Sequence, residues 1–300
     1  MSGMHGVLVI DKPAGMSSAH VVEQVRRGLG IDRAGHGGTL DPLATGVLPI
    51  CVGAGTKLAQ FLLADDKAYE AEALLGTTTD TLDRTGRIIE QRDVQVTRDA
   101  LIAALVAHTG PQTQIPPMYS AIKQGGVRLY HRARAGEDVA REPRAIRIDR
   151  LELLAFAPPR FRLAIACSKG TYVRSLVADL GAAVGAGAHL TELRRTRSGR
   201  FTLDQAVTLD RLADAKLIPP EQATELPAVT VPDALVGHVF NGVQLPVVAF
   251  GADGLERFQL LDVTGRLLAI AHPEVGRTVY DRVFPELTGT VSLLSRFRKR

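Results

Sequence analysis

The residue with the clearest chemical potential in this chain is Asp41, a lone carboxylate inside the glycine-rich string Gly38-Thr-Leu-Asp-Pro-Leu-Ala-Thr-Gly46. Backbone N–H groups in glycine-rich turns can cradle phosphates, but the spacing refuses a nucleotide loop. There is no Gly-x-x-x-x-Gly-Lys-Ser/Thr, and Gly53-Ala-Gly-Thr-Lys57 lacks a glycine directly before its lysine. Asp41 followed by Pro42 also reads as a helix N-cap with proline at the first helical position, which needs no chemistry. A second capability is polyanion binding. Lys123, Arg128, Arg132, Arg134, Arg141, Arg144, Arg147 and Arg150 crowd one segment, against Glu137, Asp138, Glu142 and Asp149. Arg194, Arg195, Arg197 and Arg200 form a cluster without an internal acid, and the chain ends Arg296-Phe-Arg-Lys-Arg300. Each cluster alone is compatible with a solvated face, and together they tilt towards a polyanion. Cys51 and Cys167 have apolar neighbours, no Cys-x-x-Cys partner and no nearby histidine pair, so they read as reduced core residues, not a disulfide or zinc site.

The elements that must position these residues follow from patterning. The chain has 300 residues, 45% of them hydrophobic, enough for one large core and a small second module. A net charge of +4 permits nucleic-acid binding without requiring it. The first apolar run, Val7 to Ile10, is too short for a signal-peptide core or a membrane span, so a cytoplasmic location is expected. That run reads as a buried strand, followed by a turn at Lys12-Pro-Ala-Gly15 and a Ser17-Ser18 cap before a helix through Val21, Val25 and Leu29. The string from Gly35 to Gly46 reads as a loop leading into a strand from Val47 to Val52. Strands are expected at Ala68–Leu75, Arg87–Glu90, Ile146–Phe156 and Arg160–Ala166, with a polar loop from Thr77 to Gly86. Helices are expected around Leu101–Val106, closed by Gly110, and over Thr171–Leu180. Gly125-Gly126 between two short runs suggests a hairpin. Prolines 219, 220, 227 and 232 mark a linker, beyond which runs at Gln244–Phe250, Glu256–Asp262 and Leu267–Ala271 suggest a small β module.

The whole string around Asp41 resembles the catalytic loop of the TruB family of tRNA pseudouridine synthases almost letter for letter. Other pseudouridine synthase families typically place Arg-Leu before the aspartate, where this chain has Thr39-Leu40. The resemblance continues at Val7-Leu-Val-Ile-Asp-Lys-Pro-Ala-Gly-Met-Ser-Ser18 and Asp66-Lys-Ala-Tyr-Glu70, and returns at Cys167-Ser-Lys-Gly-Thr-Tyr-Val-Arg-Ser175 and His189-Leu-Thr-Glu-Leu-Arg-Arg195. It implies a mixed α/β (α+β) pseudouridine synthase fold around a largely antiparallel sheet.

Pseudouridine forms when the bond between uracil N1 and the ribose breaks, the base turns, and its C5 joins the same ribose carbon. No net redox change occurs, so the resemblance implies no cofactor and no metal. Asp41 is the implied catalytic residue, ionised in a water-poor pocket, where it could attack as nucleophile or remove a ribose proton. Arg174 is its implied partner, and an adjacent guanidinium would lower the aspartate's pKa. Tyr69 is implied to stack on the target base, and Lys12, Pro13, Tyr172 and Leu193 to support or line the pocket. The target the resemblance implies is a uridine in the T loop, position 55 of tRNA, which would have to be flipped out; His36 matches the family residue that inserts into the loop.

The proline-marked linker divides the chain: a catalytic domain over 1–217, the linker over 218–232, a module over 233–290 that resembles a PUA-like RNA-binding domain in length, position and strand-like patterning, and a basic tail over 291–300. Within the first, a thumb insert over about 116–144 would offer Tyr119, Lys123, Arg128, Arg132 and Arg134 to the RNA. The implied partner is the tRNA T arm, without a membrane or a guide RNA. Two rivals stand beside this reading. A noncatalytic tRNA-folding factor would not need the set Asp41, Tyr69 and Arg174, and a guide-RNA-dependent synthase would differ in the thumb and terminal regions.

Overall fold

The computed structural model describes residues 4–120, 123–128, 132, 137 and 139–287. In chain order the strands are β1 (Gly6–Lys12), β2 (Ala34–His36), β3 (Thr45–Val52), β4 (Lys67–Leu75), β5 (Thr77–Thr79), β6 (Ile88–Gln91), β7 (Gly110–Gln114), β8 (Lys123–Gln124), β9 (Val127–Arg128), β10 (Arg144–Ala157), β11 (Arg160–Cys167), β12 (Ala188–Ser198), β13 (Phe201–Thr202), β14 (Ala228–Thr230), β15 (Phe258–Leu261), β16 (Leu267–Glu274) and β17 (Arg277–Val283). The α-helices are α1 (Ser18–Leu29), α2 (Ala59–Leu62), α3 (Arg98–Ala107), α4 (Val173–Ala183) and α5 (Asp233–Phe240).

One large sheet runs β1-β3-β12-β4-β11-β10-β7, with β2 on β3 and β13 on β12. Every pairing is antiparallel except β3 with β12, which meet in parallel at Thr45–Arg194 and Gly46–Arg195. The fold is therefore the expected mixed α/β architecture around a largely antiparallel sheet. Its strands alternate as half-buried strands must. In β11, Phe161, Leu163, Ile165 and Cys167 are buried while Arg160 and Arg162 face out. The buried face packs on α1, α3 and α4 through Val21, Val25, Leu101, Leu105, Leu176, Val177 and Leu180.

Local chemistry sets the helix ends. The Ser17 hydroxyl accepts from the His20 N–H, and Gly30 closes α1 in the left-handed conformation at φ 60. Helix α3 stops at Ala107 with His108 as its cap, while Gly110 opens β7 and does not close the helix. Gly125 and Gly126, at φ 60 and 81, make the tight turn of the β8–β9 hairpin, a pair of angles that side-chain-bearing residues adopt at a cost.

The linker region is more ordered than its prolines suggest. Within it, β14 pairs in parallel with β15, so the second sheet, β14-β15-β16-β17, begins before Asp233. The run Gln244–Phe250 contains a 3-10 turn over Val247–Phe250 and no strand, and α5 was not legible in the periodicity. This sheet does not stand apart. Leu267, Ile270 and Phe284 share a core with Val7, Val9, Val47, Cys51 and Phe201, so β1 and β3 are buried on both faces. Burial pushes the Cys51 thiol up to about 12 and that of Cys167 to about 11, as reduced core residues require. Among the described residues no helix is long and apolar enough to cross a membrane.

Candidate active site

Asp41 sits in a turn between β2 and β3, with the Ala44 N–H donating to the Asp41 carbonyl at 3.0 Å; no helix follows, so the N-cap alternative falls. The loop is held from every side. Ser18, the first residue of α1, accepts from the Leu40 N–H at 2.8 Å and donates to the Leu40 carbonyl at 3.0 Å. The fully buried Lys12 at the end of β1 donates to the carbonyls of Pro13 (2.9 Å), Pro42 (3.3 Å) and Ala44 (2.6 Å). Gly15 N–H donates to the Pro42 carbonyl at 2.7 Å. Arg195, on β12, donates to the carbonyls of Gly38 (3.1 Å), Thr39 (3.3 Å) and Val47 (2.7 Å) from beneath. Gly46 permits that approach: at φ +99 it lies so close to β12 that a Cβ would fall 2.2 Å from the Arg195 carbonyl oxygen.

Arg174, in the first turn of α4 and 4% exposed, brings its Nε within 2.8 Å of Asp41 Oδ2. The contact is a close ion pair and not a well-directed hydrogen bond. The rest of the guanidinium is committed elsewhere, donating to the carbonyls of Thr81 at 3.0 Å and Tyr119 at 2.8 Å. A second carboxylate, Asp83, lies 3.8 Å from the guanidinium and is itself buried. Its Oδ1 accepts from Thr81 Oγ1, the Thr85 N–H and Thr85 Oγ1. Arg174 is thus shared among several acceptors and does not form a fork-to-fork pair with Asp41.

Burial pushes the Asp41 carboxyl above its ordinary 3.8; Arg174 opposes that rise, Asp83 adds to it, and Lys12 opposes it weakly. The expectation that Arg174 would hold the carboxyl down captures one contribution, but loss of water outweighs it. Burial likewise lowers the Lys12 amine to about 8, although the Asp41 charge favours its protonated form. Tyr69 stands opposite Arg195 across β4 and β12; burial raises its phenol, while the hydrogen-bonded Arg195 opposes the rise.

The remaining expected residues are spread around this centre. Tyr172 is the residue before α4, and its backbone is bracketed by Gln114, which accepts from its N–H at 2.8 Å and donates to its carbonyl at 3.1 Å. Leu193 is buried and, with Leu43 and Ala71, lines a cleft of about 260 Å³ beside the Asp41 turn. Pro13 is exposed, contributing only its carbonyl to Lys12. His36 is half-buried on β2 opposite Ile50. In the insert, Arg132 is half-buried and its guanidinium lies near the Gly125 turn. The side chains of Lys123 and Arg128, all of Arg134, and the 291–300 tail lie outside the described residues.

Sequence reasoning missed two residues. Asp83 sat in a stretch read only as a polar loop, where Thr81-Leu-Asp-Arg-Thr85 was the available signal. Arg195 was grouped with a polyanion-facing cluster, but it is 1% exposed, and its neighbour Arg194 is paired with Asp11 at 2.7 Å. Among the described residues no group of three or more His, Cys, Asp or Glu side chains could hold a metal ion.

Two family descriptions match the chain: the TruB family pseudouridylate synthase N-terminal domain over residues 26–173, and the tRNA pseudouridylate synthase B C-terminal domain over residues 174–235. The chain is 55% identical over 207 residues to tRNA pseudouridine synthase B of Pseudomonas aeruginosa (strain UCBPP-PA14), covering 69% of this chain and 68% of that one. It is 45% identical over 277 residues to the Pseudomonas fluorescens (strain Pf0-1) protein of that name, covering 88% and 90%. Among solved structures it resembles a chain of a Cbf5-Nop10-Gar1 complex, with a TM-score of 0.73 and 28% identity over 94% of this chain and 84% of that one.

Proposed function

Since the chain belongs to the TruB family and is a pseudouridine synthase acting on tRNA, we propose that its target is the T-loop uridine at position 55 and that Asp41 is the reacting group. The observation that carries this reading is the Asp41–Arg174 pair at 2.8 Å, set in a turn whose backbone is tied to α1, β1 and β12. A carboxylate must be ionised to attack carbon or take a proton, and burial works against ionisation here. Arg174 and Lys12 offset part of that cost at the carboxylate itself. The Asp41 side chain keeps 34% of its exposure, so seating the base over it would strip its remaining water and leave a carboxylate more reactive than the same group in solvent.

Tyr69 stacks on the flipped uracil, and its phenol, hydrogen-bonded to Arg195, can take part in moving the C5 proton. Leu193 and Tyr172 line the pocket, Lys12 and Pro13 hold the turn, and His36 fills the space that the base leaves in the T loop. The 116–144 insert closes over the RNA as a thumb. The 233–290 module adds RNA contacts remote from the chemistry. The enzyme works on the T arm alone, without a guide RNA.

The test is to incubate the purified protein, with no other macromolecule, with an unmodified T-arm stem-loop and to map pseudouridine. Conversion at the position-55 uridine is expected. No product, product elsewhere in the loop, or product only after a guide RNA is added would refute the proposal.

A further inference from the structure

A second opening lies beside the active site. Leu63, Arg144, Ile146, Arg147, Ser168 and Lys169 line a groove of about 470 Å³ between the start of β10 and the turn that leads into α4. Its two walls are hydrogen-bonded to one another. The Arg147 N–H donates to Ser168 Oγ at 2.8 Å, and the Ser168 N–H donates to the Arg147 carbonyl at 2.8 Å.

The charges along this groove are not equivalent. Arg147 is already neutralised, with Asp149 at 2.5 Å and Asp66 at 3.3 Å. Most arginines on the neighbouring sheet surface are paired in the same way: Arg150 with Glu152, Arg160 with Glu72, Arg162 with Glu70. Arg144 and Lys169 are exposed, and among the described residues neither has a carboxylate partner. A cation on a surface that otherwise pairs its cations is available to an external anion.

The groove is also tied to the catalytic pair. Arg144 stands opposite Gln114 in the β7–β10 register; Gln114 brackets the Tyr172 backbone, and Arg174 lies two residues further along. The charges of Arg144 and Asp41 both act on the Tyr172 phenol, which places Arg144 within electrostatic reach of the catalytic turn.

We propose that this groove binds the phosphate backbone of the RNA strand flanking the target uridine, with Arg144 and Lys169 each contacting one phosphate. The inference rests on the proposed T-arm activity. It adds a track at the root of the thumb, where Arg144 ends the insert and opens β10, apart from arginines 128, 132 and 134.

The experiment compares wild type with Arg144→Ala/Lys169→Ala in two measurements: T-arm binding against salt, and steady-state kinetics on the same RNA. Each phosphate contact contributes about 0.7 to 0.9 to the slope of log K against log salt, so the double variant should lose roughly 1.4 to 1.8 from that slope. KM should rise by at least about tenfold, with kcat changing much less. The charge-conserving Arg144→Lys/Lys169→Arg should restore the slope, which a purely structural role would not explain. An unchanged slope in a folded double variant overturns the inference, as does a fall in kcat without a change in slope. Neither result touches the T-arm assignment, which fails only if wild type leaves the T-loop uridine unconverted.

Discussion

Replacing Arg174 by lysine keeps the charge and removes the shape, so it separates what the guanidinium does by its position from what it does by its charge. The side chain is 4% exposed and reaches Asp41 at 2.8 Å, the Thr81 carbonyl at 3.0 Å and the Tyr119 carbonyl at 2.8 Å with three different nitrogens. A lysine has one nitrogen. Its three N–H groups radiate from that single point and cannot span acceptors that Arg174 reaches with three separate nitrogens, so at least one acceptor is left without its donor. An acceptor deprived of its partner in a buried setting costs about 1–3 kcal/mol, and losing one sets the expected destabilisation at that size. At about 2–4 °C per kcal/mol for domains of 150–250 residues, Tm should fall by roughly 2–12 °C. The kinetic effect should be larger, because the carboxylate is no longer held along a fixed direction, and a misplacement of about 1 Å costs on the order of 10²-fold in rate. Thermal melting and single-turnover release of tritium from C5-labelled T-arm RNA measure the two effects. A rate within about tenfold of wild type, together with a Tm shift below about 2 °C, would refute the reasoning.

Asp41→Asn should abolish turnover while preserving RNA binding. Because burial raises this carboxyl, the folded chain holds its proton more tightly than the unfolded chain, and ionisation costs stability once pH exceeds the ordinary 3.8. The asparagine variant should therefore melt no lower than wild type at neutral pH, with any advantage vanishing below about pH 3.8; a clear loss of Tm at pH 7 counts against this. Lys12, lowered to about 8, has three carbonyls to satisfy and only two N–H groups once deprotonated. Wild-type kcat/KM should decline on the alkaline side around pH 8, and Lys12→Met should lower the plateau and remove that limb; an identical limb in the variant would assign it to another group. Deletion from Asp233 onward should do more than weaken RNA binding, since it strips Leu267, Ile270 and Phe284 from the core over β1 and β3. At about 1.5–3 kcal/mol for each buried side chain, the truncated protein should be markedly destabilised; an undiminished Tm would show that the two sheets are energetically separate.

Much of this protein was legible in local signals. Alternation in Phe161, Leu163, Ile165 and Cys167 marks a half-buried strand, Ser17 marks the start of α1, and Gly125-Gly126 marks the hairpin, because each depends on near neighbours in the chain. The letters around Asp41 were enough to point to the family and to the residue on which the chemistry is proposed to turn.

What the sequence alone could not decide is what surrounds each charge. Arg194 and Arg195 are adjacent and look alike, yet one pairs with Asp11 near the surface while the other is enclosed under the catalytic turn. The difference arises because β12 meets β3 at Gly46, 149 positions before Arg195, where the absent side chain lets the strands touch. Asp83 reaches Arg174, and the C-terminal sheet covers β1 and β3, through similar long-range closures. Whether Asp41 is pulled down by its arginine or pushed up by loss of water depends on the sum over all these neighbours. Desolvation is a property of the enclosing volume, and only the folded chain defines that volume.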